Sequence, residues 1–246
     1  RQRQMCIRDR YETFIPAGSE TEVPKRDPVN YRTVWDGRID GTADGRRTNH
    51  LVTYRESGTA ILDGLHLVNA DCSTGSSFVP YGAAILMRSG EMIVRNCMLE
   101  NNTAFIAPAI AMLNDARRLV MVNTVVNNNT SVVSSDNPLS SAVLTQGIFE
   151  ANYCDFIHNR GAGLYVSAGS ADIFNSIFWG NSSTPDSPRG TDLQLNGSED
   201  AVIRVEASGI QYAPEAWNLF ASGLNNIRLG LTETDGFPVP TFVNAS

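Results

Sequence analysis

One short pattern returns along this chain and limits what the chain can become. It reads Asn, a small Cys, Thr or Ser, any residue, an apolar residue, two further residues, and Asn. Copies run over 96–102 (NCMLENN), 123–129 (NTVVNNN) and 175–181 (NSIFWGN). A variant lies at 153–159 (YCDFIHN), and a weaker first copy at 64–70 (GLHLVNA). The shared apolar position is Leu67, Leu99, Val126, Phe156 and Phe178, at uneven steps of which Leu67 to Leu99 is the longest and Phe156 to Phe178 the shortest. A second pattern of small residues closing on an apolar one precedes each later copy and ends at Ile85, Ile110, Val143 and Leu164. The distance from that residue to the next copy's apolar position is nearly constant, from Ile85 to Leu99, Ile110 to Val126, Val143 to Phe156 and Leu164 to Phe178. The length variation therefore falls at one place, just after the terminal Asn.

A period that can shrink to roughly 20 residues, period-two apolar alternation and insertions confined to one corner are what a parallel β-solenoid requires. Each repeat forms one layer, strands stack on those of the layer before at ~4.8 Å, and like residues form columns in the core. Helical solenoids are disfavoured because apolar positions recur with period two and β-branched residues are common. Leucine-rich repeats are excluded by their absent spacing. The 246 residues, 42% hydrophobic and 18% charged, suffice for a buried core. A net charge of −7 and a single lysine, Lys25, give no basic footprint, so no nucleic-acid partner is expected. No apolar run approaches ~18 residues, so no membrane span is expected.

The terminal Asn residues, Asn102, Asn129, Asn159 and Asn181, are expected to stack as an amide ladder at a tight corner, because Asn tolerates left-handed backbone and bonds its neighbours' main chain. Asn101, Asn128, Asn129, Asn181 and Asn196 also begin N-x-S/T sequons, but the ladder explains most of them. Cys97 and Cys154 share a repeat position with Thr124 between them. Two layers place them roughly 9.6 Å apart, too far for a disulfide, so they are read as small core residues. Cys72 lies in a corner loop, and Cys6 in the first ten residues.

The residues Phe156-Ile157-His158-Asn159 and Phe178-Trp179-Gly180-Asn181 fit an F-x-x-N motif, and Gly82-Ala83-Ala84-Ile85 approximates G-G-A-[ILV]. In these motifs the chain resembles the right-handed parallel β-helix proteins of the pectin-lyase-like fold. The likeness is greatest to bacterial secreted or surface proteins with repeats like those of chlamydial polymorphic membrane proteins, and it covers about residues 18–245. It implies an all-β, right-handed parallel β-helix, expected here to have roughly eight coils, and an extracellular or cell-surface location. Residues 1–10 (RQRQMCIRDR) break from the later composition and are read as a non-native, adapter-derived leader. Residues 11–246 are expected to form one domain: an irregular lead-in over 11–53, regular coils over 54–191, and looser coils with a cap over 192–246, including a short helix at 214–220. With neither leader nor sorting domain in view, the chain is expected to be a fragment of a longer exported protein.

The scaffold hosts lyases, glycosidases, adhesins and passive stalks, so function has to be read from sites. Asp36, Asp40 and Asp44 form an acidic stretch, and Asp40, Thr42 and Asp44 have the first spacing of a calcium loop. Leu51 then stands where a bidentate Glu is needed, leaving a Gly-Asp turn as the competing reading and no cofactor firmly implied. Tyr165 and Trp179 are expected on outer faces, with Tyr81 in a corner loop, as aromatic platforms for sugars. The insertions 70–80, 130–140 and 182–190 are expected on one edge, as a recognition rim or as loops covering the flank. His50, His66 and His158 fall in unrelated contexts. A lyase or hydrolase would need carboxylates stacked near Arg88, Arg95, Arg117 or Arg118, yet the equivalents of Asp155 are Met98, Val125 and Ile177. No galacturonase signature is present. The expected role is thus a monomeric structural, adhesive or glycan-binding domain meeting an extracellular glycan or a cell-surface protein; the alternative is an enzyme acting on acidic polysaccharide.

Overall fold

The computed structural model describes residues 33–39, 45–73, 80–132, 140–181, 192–195, 202–211, 221–222, 227–234 and 237–244. These residues form a parallel β-solenoid. One sheet stacks the short strands Thr33–Asp36, Leu65–Val68, Met98–Glu100, Val125–Asn127, Asp155–Ile157, Ile177–Trp179, Gly209–Ile210 and Ile227–Thr234, all parallel. Their register runs Trp35, Leu67, Leu99, Val126, Phe156, Phe178, Ile210, so the repeat's apolar position is one column of facing residues. We call this the short-strand face.

Two further faces close the core. Val52, Ile85, Ile110, Val143, Leu164 and Leu193 are in register on a second face, which follows the insertions. On the third face Ala60, Met92, Leu119, Phe149, Ala171 and Ile203 align, with Leu62, Val94, Met121, Ala151, Ile173 and Val205 in a parallel column beside them. The long strands Ile85–Arg95 and Ile110–Val122 run through the bend between these two faces and join them into one sheet. Phe156 and Phe178 stack with centroids 4.4 Å apart and planes at 7°, a direct result of like residues repeating at the layer spacing.

Six layers have all three faces among the described residues, about five full turns rather than the eight expected. The short-strand column explains the difference, since the short step from Phe156 to Phe178 occurs once and every other step between Trp35 and Ile210 is longer. Trp35 and Ile210 extend the column at both ends and, like Leu67, lack the Asn that closes the four copies between. After Ile227–Thr234 the chain reverses, and Phe237–Asn244 pairs antiparallel to it at the end of the short-strand sheet. The helix expected at 214–220, the first ten residues and the insertion interiors lie outside the described residues.

The buried Asn column is continuous. Asn102 Nδ2 donates to Asn129 Oδ1 at 3.0 Å, Asn129 Nδ2 to Asn159 Oδ1 at 3.1 Å, and Asn159 Nδ2 to Asn181 Oδ1 at 2.9 Å. Each Nδ2 also donates to a carbonyl one turn earlier, those of Leu67, Leu99, Val126 and Phe156. The ladder ends on the fully buried Asp192, whose Oδ1 accepts from Asn181 Nδ2 at 2.8 Å. One expectation is corrected: the left-handed backbone belongs to the residues before these, Asn101, Asn128, His158 and Gly180.

A second column, of thiols and hydroxyls, fills the opposite corner. The amides of Cys97, Cys154 and Ser176 donate to Thr124 Oγ1, Ser176 Oγ and Ser208 Oγ at 3.4, 3.2 and 3.1 Å. Cys97 and Cys154 are free and buried, and burial pushes the Cys154 thiol up to about 11. They occupy hydroxyl positions in this column.

Candidate functional site

The short strands of the central turns are brief and bounded at both ends by a left-handed residue. At one corner these are Gly64, Asn96, Asn123, Tyr153, Asn175 and Ala207; at the other, Asn69, Asn101, Asn128, His158 and Gly180. Asn occupies most of these positions because its short polar side chain tolerates positive φ. The result is an outer face edged by amides. Asn123 Nδ2 donates to Asn96 Oδ1 at 2.9 Å on one edge, and Asn128 Nδ2 to Asn101 Oδ1 at 2.6 Å on the other.

Between these edges two outward columns lie in register: His66, Met98, Val125, Asp155 and Ile177 in one, and Val68, Glu100, Asn127, Ile157 and Trp179 in the other. Glu100 links the columns. Its Oε2 lies 3.1 Å from His66 Nε2, and its Oε1 accepts from Asn127 Nδ2 at 2.7 Å. Asn127 Oδ1 has no hydrogen-bond partner among the described residues. Asp155 stands between Val125 and Ile177 with no polar partner among the described residues, and burial raises its pKa. His158 lies over Gly180, where a Cβ would come within 2.6 Å of the imidazole ring.

The three aromatic candidates do not come together. Trp179 is half-buried on the short-strand face. Tyr165 faces outward on the insertion-side sheet but is only 4% exposed, because it packs with Leu86, Leu144, Ile106 and Ala111 in a second apolar cluster. Burial also raises its pKa. Half-buried Tyr81 packs against the same cluster. Tyr165 is therefore closed to a ligand, a correction to its reading as a platform, and the apolar cluster occupies the flank on that side.

Asp40, Thr42 and Asp44 lie outside the described residues, and Asp36 is held to about 2 by Arg38 beside it. Among the described residues no group of three or more His, Cys, Asp or Glu could hold a metal ion, and no helix is long and apolar enough to cross a membrane. Of the sequon residues, Asn129 and Asn181 are fully buried in the ladder, and Asn196 lies outside the described residues. His50 Nδ1 lies 3.0 Å from the carbonyl oxygen of Gly82. Ser57, Ser89, Asp115 and Arg117 line a shallow open depression at the bend between the other two faces. The arginines near the third face are engaged in ion pairs along it: Arg95 with Asp63, Arg118 with Glu150, and Arg204 with Asp172.

Residues 47–206 match the family described as right handed beta helix region. The chain belongs to this family. Its solenoid is thus right-handed, the hand that parallel crossovers take. No curated protein and no solved structure matches the chain.

Sequence reasoning did not single out Glu100, Asn127, Tyr153 or Asp155 as site residues. The signal that could have found them is departure from the repeat. Asp155 stands where the adjoining turns carry apolar residues, and Tyr153 where they carry Asn.

Proposed function

We propose that this right-handed β-helix is an exported or surface-displayed bacterial domain that recognises glycan on its short-strand face. The observation that carries the reading is the pair of exposed Asn columns edging a face on which His66, Glu100 and Asn127 form a hydrogen-bonded chain. Amides and carboxylates offer donors and acceptors at the ~4.8 Å layer repeat, and saccharide hydroxyls need both. Half-buried Trp179 adds an apolar surface for a sugar ring on the same face. The insertion-side flank is occupied by Leu86, Leu144 and Tyr165, which favours the short-strand face as the recognition surface.

A glycan array probed with the purified domain, together with a polyuronate-cleavage assay with and without calcium, tests this. Glycan binding without turnover, lost in Glu100→Ala, is the expected result. Release of unsaturated products would replace it with a lyase, and silence in both assays would leave a stalk or a protein-adhesion module.

A further inference from the structure

The fourth turn breaks the pattern of the short-strand face at three places. Its two left-handed corners carry Tyr153, at φ 55°, and His158, at φ 53°, where most other turns carry Asn or Gly. A bulky aromatic side chain is poorly suited to that conformation, so Tyr153 costs stability that Asn would have spared. Tyr153 is also 62% exposed, so burial does not repay the cost. Between the two corners Asp155 stands where the adjoining turns are apolar, flanked by Val125 and Ile177 and without a polar partner among the described residues. Backbone strain and an unpaired, partly desolvated carboxylate gathered in one turn are characteristic of a binding site.

The chemistry of the ligand follows from what this turn lacks. Half-buried Asp155 is an acceptor without a donor among the described residues. Tyr153 precedes the same short strand at its corner, and Trp179 lies on the next strand, diagonal to Asp155. A carboxylate with one aromatic side chain on its own turn and another on the next suits a cation with several N–H donors carried on an apolar body. The chain's net charge of −7 favours a cationic ligand over a polyuronate.

Resting on the glycan reading above, we propose that Tyr153, Asp155 and Trp179 form a subsite for an amino sugar, with the protonated amine held by Asp155 and the sugar ring lying against the aromatic side chains. Neutral hydroxyl-only sugars lack the charge that would compensate the desolvated carboxylate, so the subsite discriminates in favour of the amine.

The test is isothermal titration of the folded domain with a glucosamine tetrasaccharide, its fully N-acetylated counterpart and a tetragalacturonate. Asp155→Asn and Tyr153→Asn are the variants, and Asp115→Asn, at the bend between the other two faces, is the control. The expected result is wild-type preference for the glucosamine oligomer over its acetylated form by about tenfold, the worth of one charge-assisted contact. Asp155→Asn is expected to abolish that preference, Tyr153→Asn to weaken binding of both neutral and amino oligomers, and Asp115→Asn to change neither. Equal wild-type affinity for the two oligomers, or an Asp155→Asn variant that keeps the preference, overturns the subsite and leaves the glycan reading standing. Preference for the tetragalacturonate overturns it likewise. No binding of any glycan here or on the array removes both.

Discussion

Individual residues divide into those that hold the column and those that depart from it. Phe178 is fully buried and stacked on Phe156, so Phe178→Ala is expected to cost about 3–5 kcal/mol, read as a lowered midpoint in urea denaturation. Tyr153→Asn works the other way. It restores the residue best suited to positive φ and is expected to stabilise the fold by about 1 kcal/mol in the same measurement. Asp155 allows a signed test. Its folded pKa lies above the unfolded value because burial disfavours the charge, so folding is penalised at neutral pH and the penalty fades as pH falls through the folded pKa. Asp155→Asn is therefore expected to raise the melting temperature at pH 7 and to lose that advantage at pH 3. Leu67, Leu99 and Asn102 were legible in the sequence because identity repeated at the layer spacing. Tyr153 and Asp155 were legible only as departures from a degenerate pattern, and such departures look like noise until register places them on an exposed face.

At the scale of elements, such brief strands persist because the corners hold them. Asn129 donates to the Leu99 carbonyl and to Asn159, and its Oδ1 accepts from both the backbone N and Nδ2 of Asn102. Removing it strands buried groups on both neighbouring turns, and Asn129→Ala is expected to cost on the order of 3 kcal/mol, measured by denaturant melts. The amide ladder could be anticipated from four Asn residues in phase. Its end on Asp192 could not, since Asp192 follows the 182–190 insertion and no Asn repeat marks its turn. Displacement of the left-handed residue by one position has a local cause: the buried Asn needs its side chain pointing inward to reach the next amide, and the preceding residue makes the turn. Tyr165 was misjudged for a related reason. Period two marks it as facing away from the core, but a second apolar cluster covers that side of the sheet.

For the molecule as a whole, each turn contacts its neighbours, so stability is close to a sum of turn and interface contributions. The short-strand sheet runs from Thr33–Asp36 to the antiparallel pair that ends at Asn244, and the core columns of the three faces coincide over the complete turns. The β-helix class was legible because a column needs the same residue type at the same phase in every layer. The number of turns was not, because insertions lengthen the period without changing the phase. Recognition, in this account, belongs to one face of the stack, where two amide columns, the His66–Glu100–Asn127 chain and the fourth turn's departures meet. Hydrogen exchange of the domain with and without glucosamine tetrasaccharide tests that claim most directly. The account predicts added protection over 98–101, 125–128, 153–158 and 175–180. Protection confined to the other two faces, or none on addition of a saccharide that binds, would contradict it.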